Sequence, residues 1–312
     1  SYGVIGNQNI NPYTFTPSMS VNNKATSWII DDTYVTSISS LPALVSQNFT
    51  WEKVGTINVG LDVNLFNNRL SGVFEWYQRN TNGMLAPGVQ LPAVVGASAP
   101  YQNTADMRTR GWELSLNWRD QIGKVGYRIG FNLSDYKSEI IKYDDNAATK
   151  LLSSYYPGQT LGEIWGYVVD GYYTVDDFVD TSSWQLKEGV TSINGYNVRP
   201  GDVKFKNLRD DDTSTNVITS GDNTFDNPGD RKVIGNTTPR YQYGINLGMN
   251  YAGFDLNVIL QGTGKRDYWI SNVLTFPMNG DNFVPLFEGL SDYWMPKDPD
   301  NGDWSAVNPN AK

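Results

Sequence analysis

The chain contains no cysteine and no histidine among its 312 residues. Without cysteine it can form no disulfide, no thiolate metal site and no thiol nucleophile. Without histidine it lacks the commonest metal ligand and the usual general base. It also has no run of about 18 apolar residues, which excludes a transmembrane helix. The formal net charge of -9 argues against nucleic acid as a partner, because phosphates require a basic surface.

Long stretches of the chain instead alternate between apolar and polar residues. In 241–251, Tyr, Ile, Leu and Met side chains alternate with Gln, Gly and Asn, and the pattern resumes after a turn at Ala252-Gly253. Such period-two alternation is the strongest strand signal in a single sequence. Each alternating stretch exceeds the ~9–11 residues that a tilted strand needs to cross the hydrocarbon layer. The pattern predicts six strands, at about 51–66, 69–82, 106–119, 124–137, 239–251 and 254–266.

The connections between these strands are short at one end and long at the other. Tight turns join the strands of each hairpin, whereas long loops are expected at about 3–50, 83–105, 138–238 and 267–312. This asymmetry is typical of a transmembrane β-barrel, which has short periplasmic turns and long extracellular loops. Aromatic residues also occur near the strand ends, where interfacial girdles lie: Trp76, Trp112, Trp118, Tyr127, Tyr241 and Tyr251. The alternative is a soluble sandwich or lipocalin-like barrel, whose apolar face would point inward.

Six strands cannot close a membrane barrel, and an open sheet edge is not tolerated in lipid. We therefore predict that the chain is a segment of a longer protein. Residues 1–7 have the pattern of the last residues of a strand that enters a polar loop. The predicted fold class is all-β: an antiparallel transmembrane β-barrel, present in part, with long extracellular loops.

A series of short motifs resembles the SusC/RagA family of TonB-dependent outer-membrane transporters from Bacteroidetes. The motifs follow one another in the family's order from Trp51 to Leu256. They are Trp51-Glu52-Lys53-Val54, Phe66-Asn67-Asn68-Arg69-Leu70-Ser71-Gly72, Asn82-Gly83-Met84-Leu85, Leu91-Pro92-Ala93-Val94, Gly111-Trp112-Glu113-Leu114, Asn132-Leu133-Ser134-Asp135-Tyr136, Gly158-Gln159-Thr160-Leu161-Gly162-Glu163, Pro200-Gly201-Asp202-Val203, Val233-Ile234-Gly235-Asn236, Pro239-Arg240-Tyr241 and Gly253-Phe254-Asp255-Leu256.

The resemblance implies a bacterial outer-membrane barrel of roughly 22 strands, closed by an N-terminal plug. It also implies a SusD-like surface lipoprotein as partner and import of oligosaccharides, or of peptides in some members. The TonB complex would drive import through a region that is not in this chain, and the plug is likewise not in this chain. Outer-membrane lipid would surround the barrel. No cofactor is implied.

Three groups of residues are candidate sites. Charged and amide side chains of the polar strand face are expected to line the lumen: Asp62, Glu75, Glu113, Arg128, Asn246 and Asp255. Aromatics of the longest loop are candidates for contact with ligand or partner, although packing within the loop is expected for most of them: Trp165, Tyr167, Tyr172, Tyr173 and Trp184. Asp210, Asp211 and Asp212 form a weak calcium candidate, because the glycine that a calcium loop needs is absent.

The function that we expect is TonB-dependent oligosaccharide import. A RagA-like peptide importer is the alternative of the same class, and a soluble carbohydrate-binding β-domain is the alternative of another class. Neighbouring carboxylates such as Asp144-Asp145 and Asp176-Asp177 suggest glycosidase chemistry only superficially. That chemistry needs two carboxyl groups roughly 5–10 Å apart across a cleft. With no nucleophile elbow, Walker loop or dinucleotide motif, we expect no enzyme activity.

Overall fold

The structure is a computed structural model, and it describes residues 1–7, 16–17, 19, 21–22, 28–30, 33–35, 38–39, 42, 44–46, 50–146, 148–152, 155–180, 182–209, 216–270 and 295–306. Its strands are, in chain order, β1 (Tyr2–Asn7), β2 (Val21–Asn22), β3 (Trp28–Ile30), β4 (Thr33–Val35), β5 (Ile38–Ser39), β6 (Glu52–Leu65), β7 (Leu70–Pro87), β8 (Tyr101–Ile122), β9 (Val125–Tyr143), β10 (Glu163–Gly166), β11 (Val169–Tyr172), β12 (Ser192–Ile193), β13 (Val203–Phe205), β14 (Val217–Ile218), β15 (Lys232–Asn236), β16 (Arg240–Tyr251), β17 (Phe254–Lys265), β18 (Pro296–Asp298) and β19 (Asp303–Ala306).

Helical structure in the described residues is confined to short 3₁₀ turns at Ala93–Val95, Asp144–Asn146, Val175–Asp177 and Pro299–Asn301. No helix within these residues is long and apolar enough to cross a membrane.

The largest element is a seven-stranded antiparallel sheet in the order β1-β6-β7-β8-β9-β16-β17, which we call the wall. The hairpins β6–β7, β8–β9 and β16–β17 close with tight turns. The β16–β17 turn uses Ala252 and Gly253, both with positive φ (49° and 85°), as the twist of a two-residue hairpin requires. The predicted antiparallel all-β architecture is confirmed. The wall is not closed into a barrel.

The strands extend further toward the long loops than the alternation predicts. β7 continues to Pro87 and β8 begins at Tyr101, so the loop expected at 83–105 covers only 88–100. β9 likewise ends at Tyr143 rather than near 137. The ladder persists there, with Leu85 opposite Asn103 and Pro87 opposite Tyr101, although apolar and polar residues no longer alternate along 83–87. Alternation therefore disappears from the sequence before the backbone pairing ends.

The beginning of the chain is also more ordered than a loop over 3–50 would suggest. β1 pairs with β6 from Tyr2 opposite Ile57 to Asn7 opposite Glu52, which adds a seventh strand to the wall. The strand end that residues 1–7 predict is thereby confirmed, although a loop was expected from about residue 3.

The chain divides into two compact units. The first comprises Ser1–Leu161 and Pro239–Lys265 and contains the wall. The second, which we call the loop unit, comprises Gly162–Thr238 and Arg266–Lys312. The loop unit is built from two-stranded sheets, β10–β15, β11–β13, β12–β14 and β18–β19. Its core contains Tyr173, Phe178 and Val198, with Trp184 and Leu186 among the residues packed against them.

Candidate functional site

The registers of the wall place all six predicted lumen residues on one face. Glu75 and Glu113 lie directly opposite each other on β7 and β8, and Arg128 on β9 lies opposite Gly248 on β16. The remaining three are each paired with a residue of the same face: Asp62 with Val73, Asn246 with Gly130 and Asp255 with Asn250. A concavity of about 820 Å³ has many of its lining residues on this polar face. That these side chains line a lumen remains a proposal.

The opposite face of the wall is apolar and exposed. Val59 and Leu61 are each 61% accessible, and Leu256 is 54% accessible. Exposure of so many large apolar groups to water is unfavourable, so this face requires a covering surface. The arrangement fits a surface that lipid covers.

Aromatic side chains mark both ends of this apolar face. Trp76 and Trp112 are direct cross-strand partners at the end nearer the long loops. At the tight-turn end, the ring of Phe66 lies 5.9 Å from that of Trp118, whose indole N–H donates to the Tyr127 hydroxyl at 3.3 Å. Such rings of aromatic residues are typical of the two membrane interfaces.

Beyond the tryptophan pair, the same face becomes polar. Arg110 Nε donates to Gln78 Oε1 at 2.8 Å, and Arg108 Nε donates to Asn80 Oδ1 at 3.3 Å. The change from Trp76 and Trp112 to a charged hydrogen-bond network therefore marks the level at which the outer face meets water.

An ion pair joins β9 to the start of β16, where the long connection between these two strands ends. Arg240 donates to both carboxylate oxygens of Asp135 at 2.5 Å, and the Tyr241 amide donates to the same carboxylate at 3.3 Å. Asp135 is buried, and Tyr241 has a strained positive φ of 54°. Further along β9, the Leu161 amide donates to the Ser138 carbonyl at 2.9 Å. The Asp135 carboxylate thus lies at the point along β9 where the pairing with β16 ends and the hydrogen bonds to residues 158–161 begin.

The sequence analysis assigned no role to the Asp135–Arg240 pair, although the position of Asp135 in the alternation indicates one. Asp135 lies directly opposite Trp112, on the apolar face, where the alternation calls for an apolar side chain. A charged residue at such a position needs a partner, because an unpaired buried charge is costly. The partner, Arg240, is distant in sequence and cannot be found from spacing alone.

The five loop aromatics occupy different environments within the loop unit. Tyr173 is fully buried and donates its hydroxyl to the Thr191 carbonyl at 2.5 Å, and Trp184 packs edge-on against Phe178 at 5.3 Å. These two residues build the core, and Tyr173 has no surface that a ligand could reach.

The other three aromatics are partly exposed. The indole N–H of Trp165 donates to Glu163 Oε1 at 2.8 Å, and the ring of Tyr167 lies 5.3 Å from that of Phe205. Tyr172 ends β11 with part of its surface accessible. Contact with ligand or partner therefore stays a proposal for Trp165, Tyr167 and Tyr172.

Charge within the loop unit is balanced locally around Tyr173. Burial raises the pKa of Tyr173, and the Lys204 ammonium lies 5.6 Å from its ring centroid. Lys204 also donates to Asp177 Oδ1 at 3.0 Å, while the Thr174 amide donates to Asp177 Oδ2 at 2.8 Å. Burial acts to raise the pKa of Asp177, but these hydrogen bonds outweigh it and hold that pKa below its usual value. Asp177 therefore stays ionised and ties β13 to the turn at Val175–Asp177.

The calcium candidates Asp210, Asp211 and Asp212 lie outside the described residues. Within the part of the chain that the structure describes, no three Asp or Glu side chains are grouped so as to hold a metal ion. The fully buried Asp230 instead accepts three backbone amides, from Leu208 at 2.8 Å, Arg209 at 3.2 Å and Thr219 at 2.8 Å. The Asp230 carboxylate thus holds the backbone of the loop unit at residues 208, 209 and 219. The spacing of acidic residues in the sequence did not predict this role.

Comparison with known proteins supports the resemblance that the motifs suggested. No protein-family model matches the chain. It is 28% identical to TonB-dependent receptor P3 of Formosa agariphila over 84% of its length, and 25% identical to TonB-dependent receptor P26 of the same organism over 96%. It is 31% identical to TonB-dependent receptor SusC of Bacteroides thetaiotaomicron over 45% of its length. The chain is thus similar to a segment of these TonB-dependent receptors.

Solved structures support the fold. The chain matches the RagAB peptide importer in its open-open state with a TM-score of 0.60 and 22% identity, covering 84% of this chain and 25% of that one. It matches the RagAB peptide transporter with a TM-score of 0.55. The chain also spans only 25–28% of the length of the two Formosa receptors. These structures support the fold of the wall as part of an outer-membrane β-barrel.

Proposed function

We propose that the whole protein imports oligosaccharides across the outer membrane by a TonB-dependent mechanism. The observation that carries this proposal is the two-sided wall, which has an exposed apolar face bounded by aromatics and a polar, concave opposite face. The relatives are named as TonB-dependent receptors, which supports import rather than catalysis. In this proposal the chain supplies part of the barrel and of its extracellular loops.

The proposed topology follows from the turns. The tight turns at Phe66–Asn68 and Ala252–Gly253 would face the periplasm, and residues 88–100 and 144–238 would lie outside the cell. The plug and the segment that contacts the TonB complex would come from parts of the protein outside this chain.

The amides and arginines of the polar face can hydrogen-bond a hydroxyl-rich ligand. Carboxamides both donate and accept hydrogen bonds, as sugar hydroxyls do. Amides line the concavity at Asn64, Asn117, Asn246 and Asn257. Trp165, Tyr167 and Tyr172 would add aromatic surface at the extracellular side.

A peptide is the second candidate ligand, because the similar RagAB structures are described as peptide importers. Amide-lined surfaces also hydrogen-bond peptide backbones. For either ligand, we propose that a SusD-like surface lipoprotein is the partner, as in the SusC/RagA family.

The test is purification of the full-length protein from native outer membranes in mild detergent, followed by mass spectrometry of everything bound. A stoichiometric SusD-like lipoprotein with a retained oligosaccharide would support the proposal. A retained peptide would favour the second candidate. A protein that needs no detergent and brings no lipoprotein would contradict both.

A further inference from the structure

Three cations lie on the apolar side of the wall, next to the tryptophan pair at the end nearer the long loops. Arg110 lies two residues from Trp112 on β8 and is the direct cross-strand partner of Lys137 on β9. Arg108 lies two residues further along β8, on the same face. We call Arg108, Arg110 and Lys137 the outer cations. Directly opposed like charges destabilise a sheet, so the pairing of Arg110 with Lys137 calls for an anion.

The described residues around the outer cations do not neutralise them. None of the three forms a salt bridge in the described part of the chain. Glu139 lies opposite Arg108 without a salt bridge to it, and Asp135 is already bound by Arg240. The three cations therefore outnumber the carboxylate that faces them. Because the formal net charge of the chain is -9, this local excess of positive charge runs against its composition.

The other end of the same face carries its charge differently. Asp120 lies opposite Tyr127 there, beside the aromatic group of the tight-turn end, and forms an ion pair with Arg69 at 3.1 Å. A charge next to the aromatic side chains is thus balanced at the tight-turn end, whereas the outer cations are left without a partner.

The neighbouring strand holds both arginines of this group in position. Arg110 Nε donates to Gln78 Oε1 at 2.8 Å, and Arg108 Nε donates to Asn80 Oδ1 at 3.3 Å. Each amide of β7 therefore binds only the Nε group of its arginine. Within the described residues, no acceptor binds the Nη groups of Arg108 or Arg110. These N–H groups remain available, and their planar arrangement suits the oxygens of a phosphate.

The surface beside the outer cations indicates which class of anion they bind. Trp76 and Trp112 are followed toward the tight turns by Phe74 opposite Leu114, and Phe74 is 42% exposed. Residues two apart on a strand are separated by about 6.6 Å, so the cations begin one such step beyond the tryptophans. Tryptophan lies at the level of lipid headgroups in membrane proteins. An amphiphile with an anionic head and apolar chains therefore matches both surfaces, whereas a free anion would use only the cations.

We infer that the outer cations bind the phosphate group of an anionic lipid in the outer leaflet, with its acyl chains along the apolar face of the wall. The inference rests on the topology given with the proposed function, which places the long loops outside the cell. Phosphate oxygens accept paired hydrogen bonds from Arg110 and a charge-assisted hydrogen bond from Lys137. The phosphate would thereby offset the repulsion between these two opposed cations.

The test is native mass spectrometry of the full-length protein, purified in mild detergent and titrated with one of two lipids. The probes are phosphatidic acid and diacylglycerol with the same acyl chains, which differ only in the phosphate group. We expect tighter binding of phosphatidic acid. This comparison needs no substitution, so it does not depend on whether a variant folds. Equal binding of the two lipids would overturn the inference.

Substitutions then locate the site. A basic residue near an anionic lipid surface strengthens binding about fivefold, so Arg110→Gln combined with Lys137→Gln should weaken binding of phosphatidic acid about 25-fold. Arg110→Lys, which keeps the charge, should retain most of it. The matched control is Lys124→Gln combined with Lys150→Gln, which removes the same charge outside the outer cations and should leave binding unchanged. Equal losses in the two double variants would show that only net charge matters and would contradict the site.

A competition experiment separates a lipid headgroup from a free anion. Bound phosphatidic acid should resist millimolar inorganic phosphate, because its acyl chains also contact the apolar face. Complete displacement by inorganic phosphate would assign the outer cations to a soluble anion and overturn the lipid assignment.

The two proposals can fail separately. A protein that imports oligosaccharide but binds the two lipids equally would refute only this inference. A protein that prefers phosphatidic acid through Arg110 and Lys137 but imports neither oligosaccharide nor peptide would refute only the proposed function.

Discussion

The wall and the loop unit use the same residue types in opposite ways. In the wall, large apolar side chains such as Leu61 and Leu256 are more than half exposed. In the loop unit, Tyr173 and Phe178 are almost completely buried. The loop unit therefore buries its large apolar side chains in a core, as water-soluble proteins do. The wall leaves its apolar face exposed, as a surface in contact with lipid does. The comparison shows that hydrophobicity alone does not decide which way a strand faces.

The largest expected effect is in the loop-unit core. Tyr173→Ala should destabilise the loop unit by about 3–5 kcal/mol, because truncation leaves a cavity and removes the hydrogen bond to Thr191. Hydrogen exchange of the loop unit in the full-length protein would measure the loss. Tyr196→Ala is the matched control, since that side chain is 75% exposed, and it should change stability little. Equal effects of the two variants would contradict the buried core.

A charge on the apolar face of the wall should be the next most costly change. Leu247→Arg should destabilise the barrel by about 2–4 kcal/mol if the residue lies near the middle of the bilayer. Asn246→Arg, one residue away on the polar face, should cost much less. The measurement is unfolding by denaturant in lipid vesicles. A larger cost for Asn246→Arg would reverse the assignment of the two faces.

Loss of the Asp135–Arg240 pair should increase the mobility of the backbone at Arg240 and Tyr241, where the long connection between β9 and β16 ends. Asp135→Ala should cost about 2 kcal/mol, less than for a fully buried pair, because the Arg240 side chain is 32% exposed. Faster amide exchange at Tyr241 would report the change. Asp144→Ala, which breaks the more exposed pair with Lys142, should have an effect below about 1 kcal/mol. Unchanged amide exchange at Tyr241 would show that the Asp135–Arg240 pair does not restrain the start of β16.

The smallest expected effect is a pH dependence of the loop unit. The pKa of Asp177 is lower in the folded state than in the unfolded state, so the ionised carboxylate adds stability above its unfolded pKa, about 4. That stability should be lost as the pH falls through the lower, folded pKa. Asp177→Asn should remove this part of the acid dependence and cost about 1 kcal/mol at neutral pH. Thermal unfolding of the full-length protein between pH 3 and 7 would show whether the two proteins differ.

Much of the wall could be predicted from the sequence, because alternation is a local pattern that backbone geometry produces directly. The strand ends could not, since beyond Trp76 and Trp112 the ladder continues through residues that no longer alternate between apolar and polar. The strand end predicted at residues 1–7 is confirmed as β1, but its partner β6 could not be predicted from so short a segment. In the loop unit, the roles of Tyr173 and Asp230 depend on contacts between distant residues, which no local pattern encodes.

The candidate site was predictable to a similar degree. Alternation was enough to place Asp62, Glu113 and Asp255 on one face. The Asp135–Arg240 pair and the pairing of the outer cations required the register between strands. The identity of the ligand could not be predicted, because it depends on loop surfaces whose conformation follows from tertiary packing.

The most direct test of the two-sided wall is a scan of nitroxide labels on single cysteines along 243–250 of the full-length protein in its membrane. The chain itself contributes no native cysteine that would compete for the label. The structure predicts that collisions with lipid-soluble oxygen peak at positions 245, 247 and 249 and fall at 244, 246 and 248. Collisions with a water-soluble paramagnet that peak at 245, 247 and 249 would contradict it.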